Sequence, residues 1–158
     1  MNKKIVISKK EEKKIDNKQL TPDDYLKLNN INTVNRLFLN ECFENSGINK
    51  NNIQKKRSSY KSQDIKKSRL TDDFITYDEV VEKLVISKLN CSYCKKDVVI
   101  LYENKRDLTQ WTLDRIDNEL GHSNKNTVIS CLKCNLQKRK RNDEKFRFTK
   151  QMNLIKIY

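Results

Sequence analysis

The sequence predicts an α+β fold, with a small zinc-stapled domain in its second half and a basic region, part helical and part flexible, in its first. Three observations carry that reading: two Cys-x-x-Cys pairs, two β-branched stretches lying between them, and a run free of Gly and Pro after the last cysteine. Composition agrees with it. Of 158 residues, 35% are hydrophobic and 35% charged. A core drawn from so few apolar side chains is thin, and chains of this kind usually need a metal or covalent staple.

The boundary is expected near residue 70. Residues 1–70 hold 17 Lys and Arg against 8 Asp and Glu, whereas residues 71–158 hold 17 against 13, so most of the net charge of +13 lies in the first region. Residues 1–19 open on Ile5-Val6-Ile7 and pass into Lys9-Lys10-Glu11-Glu12-Lys13-Lys14, which reads as a mobile basic arm. At Thr21-Pro22-Asp23-Asp24 an N-cap, a proline at the first helical position and two acids start a helical stretch. Apolar residues recur at Leu26, Ile31, Val34, Leu37, Phe38 and Phe43, so one helix or two short ones span about 22–45, stopping at Ser46-Gly47. Residues 48–70 contain Lys55-Lys56-Arg57 and Lys66-Lys67-Ser68-Arg69 with little apolar content, and read as a flexible basic linker.

The second half, 71–158, opens on the capping box Thr76-Tyr77-Asp78-Glu79, which starts a helix over about 77–88 with Val80, Val81, Leu84 and Val85 on it. Cys91 and Cys94 follow, two residues apart. After 36 intervening residues come Cys131 and Cys134. Each pair can present two thiolates from one tight turn, and two such pairs form a closed tetrahedral zinc site of structural type. Cys42 is left over and is expected as a small core residue on the first-half helix. Between the pairs, residues 111–116 alternate like a half-buried strand, 117–126 have loop composition, and 127–130 return as a strand running into Cys131. Residues 132–151 read as one helix.

Leu113-Asp114-Arg115-Ile116-Asp117-Asn118, Gly121-His122, Asn126 and Cys131-Leu132-Lys133-Cys134-Asn135 with Lys138 resemble the HNH endonuclease superfamily. The likeness is to the branch whose ββα-metal fold is clamped by four cysteines, and the surrounding sequence is similar to members from large DNA viruses and phages. It covers about residues 76–145. By resemblance, Asp114 and Asn135 match the two ligands of a catalytic Mg²⁺ or Mn²⁺, and Asn126 matches the asparagine that braces the loop and orients the base. Hard cations favour such oxygen ligands. One position departs from the pattern. Where most members carry the histidine that activates water, this chain has Arg115, whose guanidinium stays protonated but can hold a phosphate oxygen. The only histidine, His122, lies in the loop and is the candidate base or substrate contact, the bland alternative being a surface residue.

A charge of +13 favours polyanionic partners. Lys133, Lys138, Arg139, Lys140, Arg141, Lys145 and Arg147 crowd the last helix and would neutralise phosphates, duplex or branched DNA fitting better than single strands. The expectation is an HNH endonuclease of little sequence preference. Its alternative is a catalytically weak or inactive zinc-stabilised DNA-binding or packaging protein, and a third reading is an interaction module in which the N-terminal helical region pairs with a second copy or a protein partner. No apolar window suits a membrane span or a signal peptide, so the chain is expected to be soluble and intracellular. For a viral member this means the host cytoplasm or nucleus, or the virion.

Overall fold

The computed structural model describes residues 20–153 and 155, so the basic arm expected at 1–19 lies outside them. Helix α1 (Pro22–Leu28) starts at the expected cap, where the Thr21 hydroxyl accepts from Asp24 N–H and the Asp24 carboxylate accepts from Thr21 N–H at 2.9 Å. Helix α2 (Ile31–Phe38) follows after Asn29 and Asn30, so the stretch forms two short helices. Asn29 explains the break. Its Oδ1 accepts from Ile100 and Leu101 N–H at 2.8 Å each and its Nδ2 donates to Leu101 O at 3.0 Å, which ties the end of α1 to a segment about 70 residues away.

Helix α3 (Ser46–Lys66) replaces the flexible linker expected at 48–70, and Ser46-Gly47 starts a helix instead of ending one. Its buried face is Asn49, Ile53, Tyr60 and Asp64, spaced four, seven and four residues apart. Such spacing is helical, but only two of the four are apolar, so the periodicity escapes a hydrophobic reading. The polar members are buried because each has a partner elsewhere: Asn49 Nδ2 donates to Leu28 O at 2.9 Å, and Asp64 Oδ2 accepts from His122 N–H at 2.7 Å, while the Tyr60 Oη accepts from Leu113 N–H at 3.1 Å. Lys56 reaches the Gln110 side chain at 2.7 Å and the Trp111 carbonyl. Cys42 is not a core residue. It is exposed in the connection between α2 and α3.

Helix α4 (Tyr77–Ile86) is closed by the expected capping box and buries Val80, Val81 and Leu84 against α2, α3 and the sheet. Strands β1 (Trp111–Arg115) and β2 (Thr127–Cys131) pair antiparallel, with Trp111 opposite Cys131 and Arg115 opposite Thr127. Beyond them the chain forms two helices where one was expected, α5 (Leu132–Lys138) and α6 (Asp143–Gln151). Arg139 takes a left-handed φ of 52°, and Asn142 then caps α6 with Asp143 and Glu144 in its first turn. The bend returns the chain so that Phe146 packs edge-on against Tyr93, ring centroids 5.1 Å apart.

One apolar cluster crosses residue 70. Leu28, Val34, Leu37 and Ile53 share it with Val80, Leu84, Trp111, Leu113 and Ile129, so helices α1–α3 and the cysteine-bearing half bury one another. Among the described residues, no helix is long and apolar enough to cross a membrane.

Candidate functional site

The β1–β2 hairpin carries chemistry at both ends. At the Trp111–Cys131 end, the Sγ atoms of Cys91, Cys94, Cys131 and Cys134 all lie within 4.8 Å of one another. A tetrahedral ion about 2.3 Å from each sulfur requires sulfurs roughly 3.8 Å apart, and Cys94 and Cys131 stand at 3.9 Å. The four cysteines can therefore hold a metal ion such as zinc. Local structure builds each half: Lys95, at φ 61°, turns the first pair so that its N–H reaches Cys91 O at 3.0 Å, and Cys131 caps α5 by accepting from Cys134 N–H at 3.4 Å. Crowding already polarises the thiols. The hydrogen bond from Cys131 draws Cys91 down to about 4, while desolvation first of all pushes Cys134 up to about 12. The cluster thus favours one thiolate, and an ion would stabilise the rest.

At the Arg115–Thr127 end lies an open cleft of roughly 310 Å³, lined among others by Asp114, Arg115, His122 and Asn135. These four residues come from β1, the connecting loop and α5. Asp114 is buried, and its two polar contacts both fall on Oδ2: Tyr93 Oη donates at 2.5 Å and Lys138 Nζ lies at 3.0 Å. Oδ1 is left for another ligand. Asn135 Nδ2 donates to Thr112 Oγ1 at 3.1 Å, and that hydroxyl spends its own proton on Ser130 O at 2.9 Å. The amide is thereby oriented, and Asn135 Oδ1 is left as a free oxygen donor. Arg115 donates through Nη1 to Asn118 O and Leu120 O at 3.1 and 3.0 Å, which leaves the rest of its guanidinium fork.

His122 is buried, not a surface residue. Its Nδ1 stands 2.8 Å from Asp64 Oδ1, its backbone N–H donates to Asp64 Oδ2 at 2.7 Å, and its ring lies against Tyr60 at 4.7 Å. Burial holds its pKa below the usual value, against the raising effect of Asp64. Asn126 is buried and is not among the residues that line the cleft. It receives Asp117 N–H at 2.8 Å and donates to Asp117 O and Gly121 O at 2.9 Å each, which closes the loop that carries His122. Gly121 is required there, since a Cβ would meet Arg69 O at 2.3 Å.

The cation set divides. Lys138 leaves it, because its ammonium is fully buried, paired with Asp114 and donating to Arg115 O at 2.6 Å, and can reach no external phosphate. Arg147 is half-buried, 3.6 Å from Asp143 and stacked toward Tyr93. Lys133, Arg139, Lys140, Arg141 and Lys145 are exposed, and Arg139 and Lys140 edge the cleft. Four further contributors, Tyr60, Gln63, Asp64 and Arg69, come from the segment that reads as a linker in sequence. The signal that could have found Tyr60 and Asp64 is the 49, 53, 60, 64 spacing on one helical face, whereas Gln63 and Arg69 lie off it. Comparison of the chain with protein-family models, curated proteins and solved structures finds no match in any of the three.

Proposed function

We propose that the chain is a metal-dependent endonuclease of HNH type, hydrolysing phosphodiester bonds of duplex or branched DNA with little sequence preference. The observation that carries the reading is the convergence of Asp114, Arg115, His122 and Asn135 on one cleft edged by Arg139 and Lys140. Asp114 Oδ1 and Asn135 Oδ1 are the hard oxygens that would hold Mg²⁺ or Mn²⁺. When bound, the ion would neutralise charge developing on the scissile phosphate and on the departing 3′ oxygen.

The chain's own groups supply the rest. His122, kept neutral by burial near pH 7 and with Nδ1 taken by Asp64, has Nε2 to accept the proton of the attacking water. Arg115 stands in the position that the family's base histidine occupies, and its guanidinium acts there as a phosphate clamp. Tyr93 and Lys138 hold the Asp114 carboxylate oriented, one by a hydrogen bond and one by an ion pair. Lys133, Arg139, Lys140, Arg141 and Lys145 contact the DNA backbone, giving salt-sensitive, sequence-independent binding. The four-cysteine ion keeps the hairpin rigid and does no chemistry.

A specific observation favours the second reading, a zinc-stabilised DNA-binding protein without cleavage. The Lys138 ammonium already neutralises Asp114, which weakens the attraction of that carboxylate for a cation. Plasmid nicking with Mg²⁺ or Mn²⁺ separates the two. The endonuclease reading expects nicking that Asp114→Ala and Asn135→Ala each abolish. Persistent cleavage in both variants refutes the site, and tight binding without cleavage in any divalent ion supports the second reading.

A further inference from the structure

The carboxylate of Asp64 receives two groups of one residue: its Oδ2 accepts the backbone N–H of His122 at 2.7 Å, and its Oδ1 stands 2.8 Å from Nδ1 of the same residue's ring. Both partners are buried, at 2% and 4% side-chain exposure, so water does not compete for either contact. Asp64 belongs to α3, fifty-eight residues before His122 and outside the span that the HNH motifs cover. Nothing in the local chemistry of the loop would fix the ring. Its other neighbours are the Tyr60 ring from α3, Arg115 and Asp114 from β1, and the Gly121 backbone packed on Arg69 O.

We infer that Asp64 is the positioning residue of the site. It holds neutral His122 in the Nδ1–H tautomer, so that Nε2 carries the lone pair on the side of the cleft, and helix α3 is thereby part of the active site. The inference rests on His122 acting as the base. The physical reason is one of matching donors. An ionised carboxylate only accepts, so the ring nitrogen facing it must carry the proton, and a neutral imidazole then has its lone pair on the other nitrogen. An aspartate in this relation to a histidine fixes tautomer and orientation without itself taking the proton.

The substitution Asp64→Asn tests this with little change of shape. The backbone N–H of His122 can only donate, so the amide must turn its oxygen toward it. Its NH₂ then faces Nδ1, which can only accept, and the ring proton is forced onto Nε2. The lone pair leaves the cleft. His122 is the sole histidine, so ring ¹⁵N shifts of the labelled full-length chain report the tautomer without assignment.

The expected result is Nδ1–H in the parent protein and Nε2–H in Asp64→Asn, with nicking reduced roughly 10²- to 10⁴-fold at unchanged metal content and unchanged DNA affinity. Asp64→Glu, which keeps two acceptor oxygens, should recover part of the rate. An Nε2–H ring in the parent protein overturns the inference, as does nicking by Asp64→Asn at the parent rate. If the parent does not nick DNA, the endonuclease reading fails, and the ring tautomer still decides whether Asp64 positions His122.

Discussion

At its Trp111–Cys131 end the β1–β2 hairpin meets four thiols, three of them buried. At its Arg115–Thr127 end, about 13 Å along strands that rise roughly 3.3 Å per residue, it meets an open cleft of oxygen and nitrogen groups. The sulfur end is assembled from two tight turns, and its four groups can satisfy one another through a single ion. The cleft end is assembled from β1, the loop, α5 and α3, and its groups are each held on one side by a neighbour: Asp114 by Lys138 and Tyr93, His122 by Asp64, and the loop by Asn126. Under the proposed function, the difference separates stability from reactivity. A group committed to its own kind contributes to folding, whereas a group kept free on one side needs a second residue to hold the other.

Removing the metal should produce the largest effect. Chelation, or Cys91→Ser, should remove on the order of 10 kcal/mol of apparent folding free energy, enough to unfold the chain. Thermal melts followed by circular dichroism, with metal analysis giving one ion per chain, check it; a melt unaltered by chelation would erase the proposed contrast between the two ends.

Lys138→Met comes next, because it leaves the buried Asp114 carboxylate without its ion pair. A loss of about 3–5 kcal/mol is expected, read as a lower urea midpoint, with the four-cysteine ion still in place. An unchanged midpoint would mean that Asp114 does not depend on its neighbour.

The exposed cations should show the opposite pattern. Replacing Arg139, Lys140 and Arg141 together by Gln should leave stability within about 0.5 kcal/mol while flattening the salt dependence of DNA binding by roughly 0.9 for each phosphate that is no longer neutralised. Identical salt slopes for parent and variant would remove these residues from the interface.

The smallest effect is a pH dependence. Burial holds the folded His122 pKa below the usual value of about 6.5, so below pH 6.5 the unfolded chain binds more protons than the folded one. Stability should then fall as pH drops from about 6.5 toward the folded value, and stay flat above 6.5 as far as this group is concerned. His122→Gln should abolish that slope in urea titrations between pH 7.5 and 5. A slope retained in the variant assigns it to other groups.

Much of this contrast is legible in the residues alone. The N-cap at Thr21, the capping box at Thr76 and the two Cys-x-x-Cys turns each depend on interactions within a few positions and are found where short-range patterns put them, and the strands expected at 111–116 and 127–130 form at 111–115 and 127–131. Helix α3 is the instructive exception. Its exposed residues are Lys-, Ser- and Gln-rich, and its buried face mixes Ile53 and Tyr60 with Asn49 and Asp64, so the composition that suggests a linker belongs to its solvent side. Likewise, the charge run around Lys138 reads as one basic surface, yet Lys138 turns inward to a carboxylate 24 positions earlier, on β1. By itself, then, the sequence determined the sulfur cluster and the hairpin, because tight-turn geometry and β-branched stretches are properties of short segments. Only the tertiary structure decided that α3 folds over the loop, that Asp64 meets His122 and that Lys138 leaves the surface. Those pairings join distant positions, and their energies come from excluding water, which no local pattern encodes.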